Sequence, residues 1–190
     1  VNKLEAKWKP VTRLQKGITH KFIQGVVAIA KKIRCNPDSL MCIINSESAF
    51  KAAQPTGLMG FVKSTRADVL GITDGTMERT SPEGQLKWME KLLIESKKLA
   101  LGKGWQNKDL SDGLLYSIVF VPGYVKDALN DKNQILVSAD SSNKTKRKYY
   151  NNKINRCLDK ENKGYITIND MTQRIRDKSA ETTIAKYHLA

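Results

Sequence analysis

Glu47 occupies a position that its surroundings reserve for an apolar side chain. Leu40, Ile43, Ile44 and Glu47 fall at i, i+3, i+4 and i+7, the stripe of an amphipathic helix that faces a core. A carboxylate on such a stripe is expensive to bury charged, so it finds partners or keeps its proton. A carboxylic acid held protonated near neutral pH is a tool for general acid catalysis. The competing reading is a helix-end glutamate that escapes to solvent, and the stripe alone leaves both open.

Other residues with chemical potential are less ordered. Asp68, Asp74, Glu78 and Glu83 lie downstream, but nothing in the sequence places any of them opposite Glu47. His20 and His188 have no partner at metal-ligand spacing. Cys35, Cys42 and Cys157 cannot all pair within one chain, and their spacing is not a zinc pattern. They read as reduced structural thiols made in a cytoplasm. No cofactor motif is present.

The elements that must position Glu47 are mostly helical. Residues 1–16 read as a basic, irregular arm or linker. Ile18, Phe22, Val26, Ile29 and Ile33 mark a first amphipathic helix, with Lys31, Lys32 and Arg34 suited to its C-terminal dipole. Asn36-Pro37 is an N-cap followed by proline at the first helical position, and it opens the helix carrying Glu47. A loop follows over 51–62. Ser64 or Thr65 then caps a short helix that stops at Gly71. Ser81-Pro82-Glu83 opens a helix with Leu86, Met89, Leu93 and Ala100 on one stripe, ending near Gly102. Asp112 opens another through Leu115, Ile118 and Val119, which Pro122-Gly123 ends. Residues 140–148 are polar and basic and read as a mobile loop. A last helical pair brackets Asp159 to Asp170. The best strand signal is 164–168. No internal repeat is visible.

A chain of 190 residues suits one domain, and its 40% hydrophobic and 27% charged composition is that of a globular protein. No apolar run is long enough to span a membrane. The start at Val1 shows no signal-peptide pattern. Thirty-three basic residues against 19 acidic give a net charge of +14, which favours an anionic partner such as nucleic acid, an acidic membrane surface or a cell-wall polymer. A solvated surface explains most of these residues individually. No recognised nucleic-acid motif supports a nucleic-acid partner.

Several short segments gain meaning from their order. Glu47-Ser48 is followed by Gly57-Leu58-Met59-Gly60-Phe61, then Ser81-Pro82-Glu83-Gly84-Gln85-Leu86, then Leu115-Tyr116 through Val121-Pro122-Gly123. Together they resemble the catalytic domain of phage-type lytic transglycosylases, relatives of goose-type lysozyme. In that family a Glu-Ser pair ends a helix. A Gly-Leu-Met/Ile-Gln-Phe loop follows, and a Gln-Leu run opens a later helix. The resemblance covers about residues 20–175. The run Asn155-Arg156-Cys157-Leu158-Asp159-Lys160-Glu161-Asn162-Lys163-Gly164-Tyr165-Ile166-Thr167 is similar to a C-terminal segment of phage members. It also reads as an EF-hand-like loop, with Asp159, Glu161, Lys163, Gly164 and Asp170 at positions 1, 3, 5, 6 and 12. Lys163 puts a cation where a ligand oxygen is needed, so a metal-free loop held by the Gly164 turn is expected.

The resemblance implies a mainly α, lysozyme-like domain with a small EF-hand-like extension. Residues 17–130 would form its catalytic core, and residues 131–190 a C-terminal part of the same domain. It implies cleavage of the β-1,4 bond between N-acetylmuramic acid and N-acetylglucosamine, with Glu47 the only catalytic acid and 1,6-anhydro products. Ser48 would bond near the acid or to substrate, or cap its helix. Met59, Gly60 and Phe61 would line the sugar groove, with ordinary core the alternative for Met59 and Phe61, and Tyr116 would position Glu47 or the sugar, with a core tyrosine of satisfied hydroxyl the alternative. Gln85 would tie its helix to a loop, and Tyr149 and Tyr150 offer rings for sugar stacking. The implied partners are peptidoglycan glycan strands and other virion or tail proteins. The implied location is a phage virion, or the host envelope or periplasm during entry or lysis. Gly60 departs from the family glutamine, and its expected effect is a wider groove with fewer substrate contacts. A lysozyme-type hydrolase, an endopeptidase, and a wall-binding or tail-structural module on the same fold stay open.

Overall fold

The computed structural model describes residues 1–12, 17–61 and 65–187, with side chains described outside 10–12 and 183–187. Ser64 and His188 lie outside the described residues. Among the described residues the chain is mainly helical, with one small two-stranded sheet.

The helices nearest Glu47 start where side chains can satisfy free backbone N–H groups. In α2 (His20–Ile33) the Thr19 side chain accepts from the Phe22 N–H. In α3 (Pro37–Ser48) Asn36 accepts from the Asp38 N–H, and Pro37 fills the first turn. In α4 (Pro82–Leu101) Ser81 accepts from the Gly84 N–H. In α5 (Asp112–Phe120) Ser111 faces the Leu114 N–H. A π-helical turn spans Thr65–Leu70. Helix α3 packs against α2, α5 and the long C-terminal α9 (Ile168–Tyr187). Its Leu40, Ile43 and Ile44 are fully buried, as the stripe requires. Helices α5 and α9 approach so closely that a side chain at Gly113 would strike the Ile168 carbonyl and Thr172.

Four segments differ from the sequence expectation. Residues 2–12 are not an irregular arm, because they form α1 (Asn2–Thr12). Trp8 is fully buried there, stacks edge-on against Phe50 at 5.6 Å, and donates through Nε1 to Asp38 Oδ1 at 2.7 Å. One tryptophan and the half-buried Leu4 hold the helix down, too sparse a pattern to read as a stripe. Pro122 ends α5 and also begins α6 (Pro122–Asn130), since proline suits a first helical turn. Residues 140–148 are not wholly loop: Asn143 caps α7 (Lys144–Asn151), whose Tyr150 is buried. A four-residue strand β1 (Ile135–Ser138) pairs antiparallel with β2 (Tyr165–Thr167), Ile135 opposite Thr167 and Ser138 opposite Tyr165.

The EF-hand-like segment runs from the short α8 (Lys153–Arg156) to the start of α9. Asp159 accepts from the Tyr150 hydroxyl at 2.8 Å and from the backbone N–H groups of Lys163 and Gly164. The Lys163 ammonium lies 2.7 Å from Asp170 Oδ1. The loop's acidic ends are thus engaged by protein donors. No group of three or more metal-ligating side chains occurs among the described residues. The cysteines are free thiols, and burial pushes those of Cys35 and Cys42 up to about 12. No helix among the described residues is long and apolar enough to cross a membrane.

Candidate active site

Glu47 lies in the last turn of α3, just before an abrupt exit of the chain. Ala49 and Phe50 both adopt left-handed conformations, with φ of 48° and 63°. Two consecutive non-glycine residues there are strained, and such strain persists only where surrounding structure fixes it. Phe50 is 1% exposed and held by Trp8, so α1 fixes the turn that follows the acid.

The Glu47 carboxyl is half-buried and each oxygen has a different environment. Oε1 accepts from the Tyr116 hydroxyl on α5 at 2.7 Å. Tyr116 also meets Ser46 Oγ at 2.8 Å, and Arg174 Nε on α9 donates to that same oxygen at 2.9 Å. Oε2 faces Gly60, where the Cβ of any larger residue would stand 2.7 Å away. Burial pushes the carboxyl above its ordinary range, while the Tyr116 hydrogen bond and the Arg174 charge pull it back down. Tyr116 is buried, and its phenol is raised by burial and by the neighbouring carboxylate.

The segment 57–61 is clamped around this carboxyl. Gln85 of α4 is fully buried. Its amide nitrogen donates to the carbonyls of Ala52, Met77 and Thr80, and its oxygen accepts from the Leu58 N–H at 2.9 Å. It ties its helix to the loop, as expected. Gly60, with φ of 64°, brings its backbone against Glu47 Oε2. Only glycine adopts that conformation freely and leaves room for the carboxyl. The first atom of any side chain at Gly60 would meet the Glu47 carboxyl, a constraint that the wider-groove expectation did not include.

A cleft of about 360 Å³ opens over the acid. One wall is Met59, Gly60 and Phe61, and the other includes Tyr149 of α7 with Asn152 and Asn155 beside it. Glu47 is the one carboxylate lining this cleft among the described residues. Asp74 pairs with Arg66, Glu83 accepts from Thr19, and Glu78 belongs to a separate surface depression beside Phe50. The structure brings Glu47, Met59, Gly60 and Phe61 together at the cleft and sets Tyr116 behind the acid. It does not bring Ser48 there. The Ser48 hydroxyl donates to the Ile44 carbonyl at 3.0 Å and is buried, a bond within its own helix.

The structure separates the two neighbouring tyrosines. Tyr150 is buried with its hydroxyl on Asp159, whereas Tyr149 is 41% exposed and packs edge-on against Phe120 and Tyr124 at the cleft rim. Sequence reasoning missed Ser46, Arg174, Asn152 and Asn155. Ser46 and Arg174 are 128 positions apart, and no local pattern joins them. No protein-family model, curated protein or solved structure matches the chain.

Proposed function

We propose that this protein cleaves the glycan strands of bacterial peptidoglycan at the β-1,4 bond between N-acetylmuramic acid and N-acetylglucosamine, on a lysozyme-like helical fold. The observation that carries the reading is Glu47 itself. It is a half-buried carboxyl with one oxygen tied to Tyr116 and the other beside Gly60, and it lines a cleft that holds no second carboxylate among the described residues. A two-carboxylate glycosidase needs a partner acid across the scissile bond. A single acid suits a lytic transglycosylase, which uses one group twice.

In that reaction Glu47 protonates the glycosidic oxygen, and the bond from the muramic sugar's anomeric carbon to that oxygen breaks. The resulting carboxylate then takes the proton of the sugar's C6 hydroxyl as that oxygen bonds to the anomeric carbon. Glu47 ends protonated, and the product is a 1,6-anhydro sugar. Burial keeps the acid form accessible, and the Tyr116 donor stabilises the transient carboxylate. Met59 and Phe61, each 2% exposed, back one wall of the cleft, and Tyr149, Asn152 and Asn155 offer a stacking ring and amides. Partners are glycan strands and, in a phage setting, other virion or tail proteins. The location that follows is a virion tail or the host envelope during entry or lysis.

Incubation with purified peptidoglycan tests the reading. Soluble muropeptides are expected from the wild-type protein and not from Glu47→Gln. Full activity in that variant discards Glu47 as the acid, and no release from folded wild-type protein sinks the enzyme reading in favour of a wall-binding module.

A further inference from the structure

Three hydrogen bonds link Arg174, Ser46, Tyr116 and Glu47 in series, and Arg174 and Tyr116 set a direction at the two ends. A guanidinium can only donate, so Ser46 Oγ accepts from Arg174 Nε at 2.9 Å. Either hydroxyl can donate in the Ser46–Tyr116 contact at 2.8 Å, and Ser46 is its donor when the Tyr116 hydrogen points to Glu47. The Tyr116 hydrogen is committed to Glu47 Oε1 at 2.7 Å. With Oε1 occupied as an acceptor, an acidic proton on Glu47 belongs on the other oxygen. Oε2 is the oxygen beside Gly60, and both residues line the cleft. The same three residues join α3, α5 and α9, so the chain also fixes the rotamer of the acid.

We infer that Arg174 is a positioning residue: the donor chain it begins, through Ser46 and Tyr116, holds the acidic proton of Glu47 on Oε2, facing the substrate. The inference rests on the glycosidase reading for its purpose, though not for its geometry. Among the described residues, the ionisable groups facing Glu47 are Tyr116 from α5 and Arg174 from α9, with Tyr149 from α7 across the cleft. The loop 57–61 and the cleft face of α4, Leu92 and Ser96, present no ionisable side chain. Arg174 is itself faced by Asp177, which Lys160 and Gln173 hold. A group that must donate a proton and then accept one needs both states within reach. Burial alone favours the neutral form, and the charge and donors of this chain oppose it.

The test compares Arg174→Met, Arg174→Lys and Ser46→Ala with the wild type. Glu47 is titrated in the resting protein by carbon NMR of labelled glutamate, with Glu47→Gln assigning the signal, and cleavage of peptidoglycan is followed against pH. Arg174→Met is expected to move the Glu47 titration and the alkaline limb of the rate profile to higher pH. It is also expected to lower kcat while leaving KM nearly unchanged. Arg174→Lys, which keeps a charge and a donor, is expected to restore the limb. Ser46→Ala, which keeps the charge and breaks the chain, is expected to lower kcat with a smaller movement of the limb. An unmoved Glu47 titration in Arg174→Met overturns the inference, and so does a limb in Arg174→Lys that matches Arg174→Met. If Arg174→Met does not fold, Ser46→Ala with unchanged kcat and titration overturns it instead. The expected titrations in a protein that releases no muropeptides would uphold the chain and sink the glycosidase reading separately.

Discussion

Gly60→Ala is the substitution in which fold and chemistry meet. Alanine at φ of 64° carries the left-handed penalty of about 1–2 kcal/mol. Its Cβ would also stand 2.7 Å from Glu47 Oε2, an overpacking of the kind that costs roughly 1–3 kcal/mol. The sum, about 2–5 kcal/mol, is a large part of a stability of about 5–15 kcal/mol. An ordinary contact begins at 3.4 Å, so the two groups must separate by about 0.7 Å, and a misplacement near 1 Å costs on the order of a hundredfold in rate. Urea unfolding gives the stability, and peptidoglycan turnover gives the rate. A double-mutant cycle with Glu47→Ala isolates the contact. Removing the carboxyl should leave only the backbone penalty, with a coupling of about 1–3 kcal/mol. Equal Gly60→Ala penalties with and without the carboxyl would refute the packing argument. Wild-type turnover in Gly60→Ala would refute its link to catalysis.

Glu47→Gln keeps the fold, and its stability relative to the wild type rises with pH. The folded-state pKa of Glu47 is raised, so what the acid contributes is fully present below the ordinary carboxylate range and is lost as pH rises through the raised value. Paired denaturation curves from mildly acid to alkaline pH check this, and parallel pH dependences would contradict it. Tyr149→Ala removes an exposed ring from the cleft rim. Binding of a soluble glycan strand to the Glu47→Gln protein should weaken by about 1 kcal/mol, or roughly fivefold. Calorimetry with unchanged affinity would remove Tyr149 from the sugar path.

What the sequence made legible was local. Asn36-Pro37, Ser81-Pro82 and the apolar stripes of α2 and α3 act within a turn or two, so those helices and the odd placement of Glu47 could be read directly. Helix α1 hangs on the distant pairing of Trp8 with Phe50, and α7 on the burial of Tyr150 against Asp159. Tertiary contact outweighs their polar, lysine-rich composition. Strand β1 is too short to show alternation and depends on a partner about thirty residues away. At the site, Tyr116 entered through resemblance, whereas Ser46 and Arg174 left no trace because the helices that join them are far apart in the chain. Gly60 was legible as a departure but not in meaning, since only the structure shows the Glu47 carboxyl in the space its side chain would fill.

The most direct test of the central claim is the mass of the fragments released from purified peptidoglycan. A single acid acting twice predicts anhydro-muropeptides, each one water lighter than the hydrolysed equivalent and lacking a reducing end, from the wild-type protein and not from Glu47→Gln. Reducing ends would assign a lysozyme-type hydrolase. Cuts confined to the peptide stems, or no fragments from folded protein, would contradict the role given to Glu47.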